Sequence, residues 1–212
     1  MKNISIKKKK FKNKITGKIY NQKFIDIGVP KDFYSTPNFI RKNFPKKAIF
    51  FDRDGVLNEI NEDEYITNKN QYRWIKGAKE TIKFFNDNNY YVFIISNQAG
   101  IGKGFIKIKD YLDIEKKIEN DLLKIGAHVD KIYFCPYHEN AIIKKYRKKS
   151  FLRKPNPGMI LKSLKEFPII KKGSYFIGDN QSDKVAAKKA DIKFLMFKKK
   201  NLFKFIKDNI RL

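Results

Sequence analysis

Asp52 and Asp54 stand one residue apart, directly after the apolar run Ala48-Ile49-Phe50-Phe51. Two carboxylates this close repel each other unless a cation or a proton intervenes. Gly55 follows them and lets the backbone turn tightly. A second pair, Asp179 and Asp183, follows another apolar run, Tyr175-Phe176-Ile177-Gly178. The chain has only 2 histidines and 1 cysteine to set beside these carboxylates. Such a donor set favours a hard cation, Mg2+ over zinc. Ser96 and Asn97 supply a hydroxyl and backbone N–H groups, and Lys154 supplies a compact positive charge. Together these groups can neutralise a phosphoryl group in its transition state, where positioning and electrostatics dominate.

Elements that bring these residues together can be read from the apolar pattern. Short strands are expected at Ala48–Phe51, Tyr91–Ile95, Lys131–Phe134, Tyr175–Ile177 and Phe194–Phe197. Helical spacing separates most of them. Ala78, Ile82 and Phe85 share one face, and Tyr111, Glu115, Ile118, Leu122 and Ile125 share another, with the glutamate near its rim. Pro157 opens a further helix, and Ala186, Ala187 and Ala190 mark one more. Gly28, Pro30 and Pro37 read as turn formers. Strand–helix alternation predicts an α/β fold, a central parallel sheet covered on both faces in three layers. Ligands of such sheets bind beyond the carboxyl ends of the strands, where the strand order reverses. The polar groups above each stand where a predicted strand stops.

Whole-chain properties bound the reading. At 212 residues, 42% hydrophobic and 15% aromatic, the chain suits one ordinary domain with an extension. No apolar run approaches the roughly 20 residues of a membrane span, and no signal-peptide pattern follows the lysine-rich start. One cysteine excludes an internal disulfide and suits a reducing cytoplasm. The net charge of +26 comes mainly from lysines spread along the chain. Without a zinc finger, RRM or KH signature, nucleic acid is not the expected partner. A basic surface also suits a polyanionic small substrate.

Asp52-Arg53-Asp54-Gly55-Val56 resembles the DxDG[TV] motif of haloacid dehalogenase (HAD) phosphatases. Ser96, Lys154 and Gly178-Asp179 with Asp183 resemble the remaining three motifs, in the right order. Within that superfamily "FFDRDGVLN", "SNQAGIGKG", "YFCPYHEN" and "RKPNPGMI" resemble the heptose 1,7-bisphosphate 7-phosphatases and their relatives, the histidinol-phosphate phosphatases, over residues 46–199. The resemblance implies a Rossmann-like HAD fold with no large cap domain. It implies Asp52 as nucleophile and Asp54 as general acid and base. Mg2+ would be held by Asp52, the Asp54 carbonyl and Asp179, with Asp183 behind them. Ser96 and Lys154 would hold phosphoryl oxygens. Arg53, Tyr65, Asn97, Gln98 and Arg153 would contact substrate. The implied reaction removes the 7-phosphate of a phosphorylated heptose for surface-polysaccharide synthesis, in the cytoplasm.

The chain departs from that family at a zinc-binding loop. Cys135 is present, but Tyr137, Ser150 and Leu152 occupy the other ligand positions. His138 with one cysteine does not complete a tetrahedral site, so no zinc is expected. Asn180 stands where the heptose enzymes often carry lysine. These departures keep two alternatives open: histidinol phosphate or another small phosphomonoester as substrate, and a non-catalytic module of a glycan pathway.

Residues 46–212 are thus expected to form the phosphatase domain, and 1–45 an N-terminal extension. "GKIYNQKFIDIGVPKDFYS" in that extension is similar to the tail of sugar-nucleotidyltransferases, which suggests a remnant of a fused protein or a dock for a heptose-pathway partner. The stretch between Asn58 and Gly77 is too short for a cap and is expected to form a lid-like loop, anchored by Tyr72 and Trp74. The lysines of 144–149 read as a solvated loop or as an attractor for a distal phosphate. "GIGKG" at 100–104 fits neither GxGxxG nor a P-loop and reads as the turn of the second motif.

Overall fold

The structure is a computed structural model that describes residues 23–60, 65–198 and 200–211. The chain divides into two compact units, one ending at Phe39 and one starting at Ile40. The start of the nucleotidyltransferase-like stretch, residues 17–22, and part of the lid-like loop, residues 61–64, lie outside the described residues. In the N-terminal region helix α1 (Pro30–Asn43) begins at Pro30, whose fixed φ and missing N–H suit a first helical position. Pro37 lies inside α1, so it is not the turn expected there. The Thr36 hydroxyl donates to the Asp32 carbonyl at 2.7 Å, within the turn that precedes it.

The larger unit contains β1 (Lys46–Phe51), α2 (Ala78–Asp87), β2 (Tyr91–Asn97), α3 (Ala99–Gly102), α4 (Ile108–Leu123), β3 (Lys131–Cys135), α5 (Gly158–Glu166), β4 (Ile169–Gly178), α6 (Gln181–Lys189), β5 (Lys193–Met196) and α7 (Leu202–Asn209). The five strands form one parallel sheet in the order β3-β2-β1-β4-β5. Side chains alternate across β1, as the period of a strand requires. Ile49 and Phe51 face a core built with α2, α4 and α7. Ala48 and Phe50 face a second core built with α5 and α6. Phe50 stacks on Phe93 at 5.2 Å between centroids and meets Phe176 edge-on. Burial on both faces explains why these strands read as continuous apolar runs. The three-layer α/β expectation holds.

The details differ in three places. Strand β4 begins six residues before the expected Tyr175. Its pairing with β1 shifts between Lys47↔Ile170 and Ile49↔Tyr175, around a bulge that breaks the apolar pattern. Fully buried Ser174 closes that bulge: its hydroxyl accepts from the Ala48 N–H at 2.8 Å and donates to the Ile170 carbonyl at 2.6 Å. Helix α4 ends at Leu123, so Ile125 lies beyond it and is partly exposed. Helix α7 was not foreseen; its Leu202, Phe205 and Ile206 complete the first core.

The chain runs outward from β1 through β2 to β3, then returns to β4 on the other side. The reversal point therefore lies between the ends of β1 and β4, where Asp52 and Asp179 emerge. Ser174→Ala orphans the buried Ala48 N–H, and an unsatisfied buried donor costs about 1–3 kcal/mol. Urea unfolding should show that loss without a change in the slope of the transition.

Candidate active site

Asp52 follows β1 and donates its own N–H to the Ile177 carbonyl of β4 at 2.9 Å. This ties the two loops together at the sheet edge. Gly55, at φ 83°, lies so close to Asp179 that a Cβ there would stand 2.0 Å from its Oδ2. A Cβ at Gly178 would meet the Asp183 Cβ at 2.5 Å. Both glycines allow carboxylates to approach the backbone where a side chain would not fit. Oxygens of Asp52, Asp179 and Asp183 consequently lie within 4.8 Å of one another. Among the described residues this is the one group of three or more acidic, histidine or cysteine side chains able to share an ion.

Lys154 sits inside this group, 3% exposed. Its Nζ pairs with Asp52 Oδ1 at 2.8 Å and Asp183 Oδ1 at 2.7 Å, and donates to the Ile95 carbonyl at 2.8 Å. Burial works against the ammonium, but the two aspartates outweigh it and raise its pKa. Three carboxylates against one ammonium leave two negative charges. That balance, with oxygen donors throughout, fits a hard divalent cation held by Asp52, Asp179 and Asp183. Burial pushes Asp52 up to about 7, against the pull of Lys154 and with the help of Asp183. Burial and Asp183 also raise Asp179.

Asp54 occupies a different electrostatic world. Arg53 grips both its oxygens, with Nε and Nη2 donating to Oδ1 at 3.1 and 2.9 Å and Nη2 to Oδ2 at 3.0 Å. Asn58 adds a donor to Oδ1 at 3.1 Å, and Gln98 one to Oδ2 at 2.7 Å. Burial alone would raise the Asp54 pKa, but the Arg53 charge and these hydrogen bonds hold it below the usual carboxylate range. Neighbouring aspartates are thus driven apart, Asp52 towards its protonated form and Asp54 towards its ionised one.

The remaining sequence candidates divide. Ser96 is buried at the end of β2, and its Oγ accepts from Gln98 Nε2 at 2.7 Å. Arg53, 1% exposed, is buried and pairs with Asp54. Gln98 is likewise buried and bridges Asp54 to Ser96. Asn97 exchanges two hydrogen bonds with the Lys154 backbone, at 3.0 and 3.1 Å, and so sets the lysine rather than facing outward. Tyr65 packs on Phe105 at 5.3 Å with its ring over Gly100. Arg153 lines a cleft of about 410 Å3 beside Lys154, with His138, Asn140, Lys148, Lys149 and Asn156.

One contact unflagged in the sequence also matters. Fully buried Asn58 lies four residues after Asp54, yet nothing in its type announced a contact to that carboxylate. Asn180 caps α6: its side chain accepts from the Ser182 N–H at 3.2 Å, while Asp183 Oδ2 accepts from the Asn180 N–H at 3.1 Å. That reciprocal cap fixes Asp183 in the acidic group. Tyr72 is buried against Trp74, whose indole donates to Asp121 at 3.0 Å, the anchor expected for the loop. In the departed loop, Tyr137 and Leu152 pack against the second core, and Cys135 is buried beneath them.

A family profile described as polynucleotide kinase 3 phosphatase matches residues 47–203. A D-glycero-β-D-manno-heptose-1,7-bisphosphate 7-phosphatase of Rhodopseudomonas palustris is 37% identical over 76% of this chain and 89% of its own. A D-glycero-α-D-manno-heptose-1,7-bisphosphate 7-phosphatase of Campylobacter jejuni is 37% identical over 69% and 78%. Among solved structures, the heptose 1,7-bisphosphate phosphatase of B. bronchiseptica, complexed with magnesium and phosphate, superposes at TM-score 0.66, with 24% identity over 77% of this chain and 87% of that one. A HAD-like phosphatase from Mesorhizobium loti gives 0.65, with 26% identity over 70% of both chains. The chain belongs to the polynucleotide kinase 3 phosphatase family and, within the HAD superfamily, to the D-glycero-D-manno-heptose 1,7-bisphosphate 7-phosphatases.

Proposed function

We propose that this chain is a Mg2+-dependent phosphatase that removes the 7-phosphate of a D-glycero-D-manno-heptose 1,7-bisphosphate. The observation that carries the reading is the convergence of Asp52, Asp179, Asp183 and Lys154 at the β1/β4 reversal, with Asp54 held separately beside them. An Asp52 carboxylate oxygen attacks phosphorus, and the bond to the sugar oxygen breaks. Asp54, ionised at rest, takes up a proton from solvent in the substrate complex and gives it to that leaving oxygen. The same carboxylate then takes a proton from water as the water attacks the phosphoaspartate, releasing phosphate and regenerating Asp52. A divalent cation held by Asp52, Asp179 and Asp183 would supply charge neutralisation at the phosphoryl oxygens. The Ser96 hydroxyl remains free to donate to one of them, because Gln98 occupies it only as an acceptor.

The basic cleft supports a bisphosphate substrate. Lys148 and Lys149 line the same cleft as Arg153 and Lys154, and the carboxylate opposing them there is Glu139, 3.8 Å from Lys149. We read the surrounding loop as folding without zinc: aromatic and apolar packing of Tyr137 and Leu152 stands where ligands would, and burial pushes the Cys135 thiol up. We place the reaction in the cytoplasm; among the described residues no helix is long and apolar enough to cross a membrane.

Asp52→Asn should lower turnover of the heptose bisphosphate by about 10^4-fold or more while leaving the circular-dichroism spectrum unchanged; substantial residual Mg2+-dependent hydrolysis overturns the assignment. Mg2+ affinity should weaken as pH falls through about 7, because a proton then competes for the Asp52 carboxylate. Calorimetric titration at several pH values should show a loss of about tenfold per unit for one displaced proton. Replacing Lys148 and Lys149 together by alanine should raise KM for the bisphosphate roughly fivefold and leave that for a monophosphate unchanged. Equal effects on both substrates return these lysines to the solvated loop.

A further inference from the structure

Arg53 carries the acid/base, so what carries Arg53 matters. An arginine has a long side chain with considerable rotamer freedom, and its fork is useful only where something fixes it. Helix α4 crosses behind it. The guanidinium carbon lies 5.5 Å from the centroid of the Tyr111 ring, a cation–π contact in a desolvated setting. Tyr72, from the loop before α2, is the second buried tyrosine near its charge. Glu115 stands one turn beyond Tyr111 on α4 and projects to the same place. It is the carboxylate neighbour of both the Tyr111 hydroxyl and the Arg53 charge.

Arg53 Nη1, the Tyr72 and Tyr111 hydroxyls and Glu115 Oε1 are buried here with no partner in good hydrogen-bond geometry among the described residues, although the Tyr111 hydroxyl and Glu115 attract each other. Such atoms are rare in folded proteins, where ordered water commonly completes them. Their chemistry is complementary. A single water can accept from Arg53 Nη1 and one hydroxyl, and donate to Glu115 and the other. Nothing in the catalytic steps uses these groups directly, and apolar side chains would fill the space more cheaply if packing were their whole purpose.

We propose that Tyr111, Glu115 and Tyr72 are positioning residues that act through Arg53, a water-bridged strut holding the guanidinium fork in register with the Asp54 carboxylate. The strut rests on the phosphatase reading above. It makes the aim of the acid/base depend on a helix face that never touches substrate.

Leaving-group chemistry tests this. A sugar alkoxide needs a proton from Asp54 as it departs, whereas p-nitrophenolate leaves unaided. In kcat/KM, which reports the steps through leaving-group departure, Tyr111→Phe and Glu115→Leu should each cost about tenfold or more on a phosphosugar. The same variants should change p-nitrophenyl phosphate turnover by less than about twofold. Glu115→Gln, which retains an acceptor for the bridge, should restore most of the loss. In an Arg53→Met background Tyr111→Phe should have no further effect, because the strut then has nothing to hold. Equal losses on both esters, or no loss on either, overturn the strut while leaving an active wild type. A wild type inactive on both esters refutes the catalytic reading itself.

Discussion

A buried ammonium sets the terms for this molecule. Lys154 is almost wholly removed from water, and an unpaired charge there would cost several kcal/mol. Asp52, Asp183 and the Ile95 carbonyl together make its position tenable. Those partners come from the ends of three different elements: the loop after β1, the first turn of α6 and strand β2. The parallel sheet must therefore bring these ends to one edge, and Asn97 must clamp the Lys154 backbone for the geometry to hold. The arrangement answers why carboxylates stand at the ends of hydrophobic strands. They are partners of one buried cation, and their excess charge invites a second.

Two aspartates one residue apart acquire opposite characters because the backbone sends them to different neighbours. Asp52 joins other carboxylates in a buried group, which pushes it up to about 7. Asp54 faces an arginine and two amides, which hold it down. The contrast between the two carboxylates is thus built less from the residues themselves than from their surroundings: Arg53, Asn58 and Gln98 on Asp54, and Lys154 with Asp183 on Asp52. Arg53 and Gln98 hydrogen-bond Asp54, Asn97 holds the Lys154 backbone, and Arg153 lines the basic cleft.

The loop between β3 and α5 illustrates how a scaffold tolerates change. Aromatic packing, a lysine 4.3 Å above the Tyr137 ring and the Arg147 fork onto the carbonyls of Ala141 and Ile142 hold it together. Lys148 and Lys149 of this loop line the same cleft as Lys154.

Much was legible before any coordinates. Apolar runs buried on both faces announced the strands, and motif spacing announced Asp52, Asp54, Ser96, Lys154 and Asp179. The bulge of β4 was hidden, because Ser174 is a polar residue doing a backbone's work inside a core. Helix α1 was obscured by Pro37, whose position within a helix is decided by neighbouring turns. The sequence by itself determined which chemical groups are available and which elements end in them, since both follow from residue type and period. Only the tertiary structure decided which carboxylate sits beside which cation, and therefore which is raised and which is held down. Coulomb interactions depend on distances through space, and separation along the chain does not supply those distances.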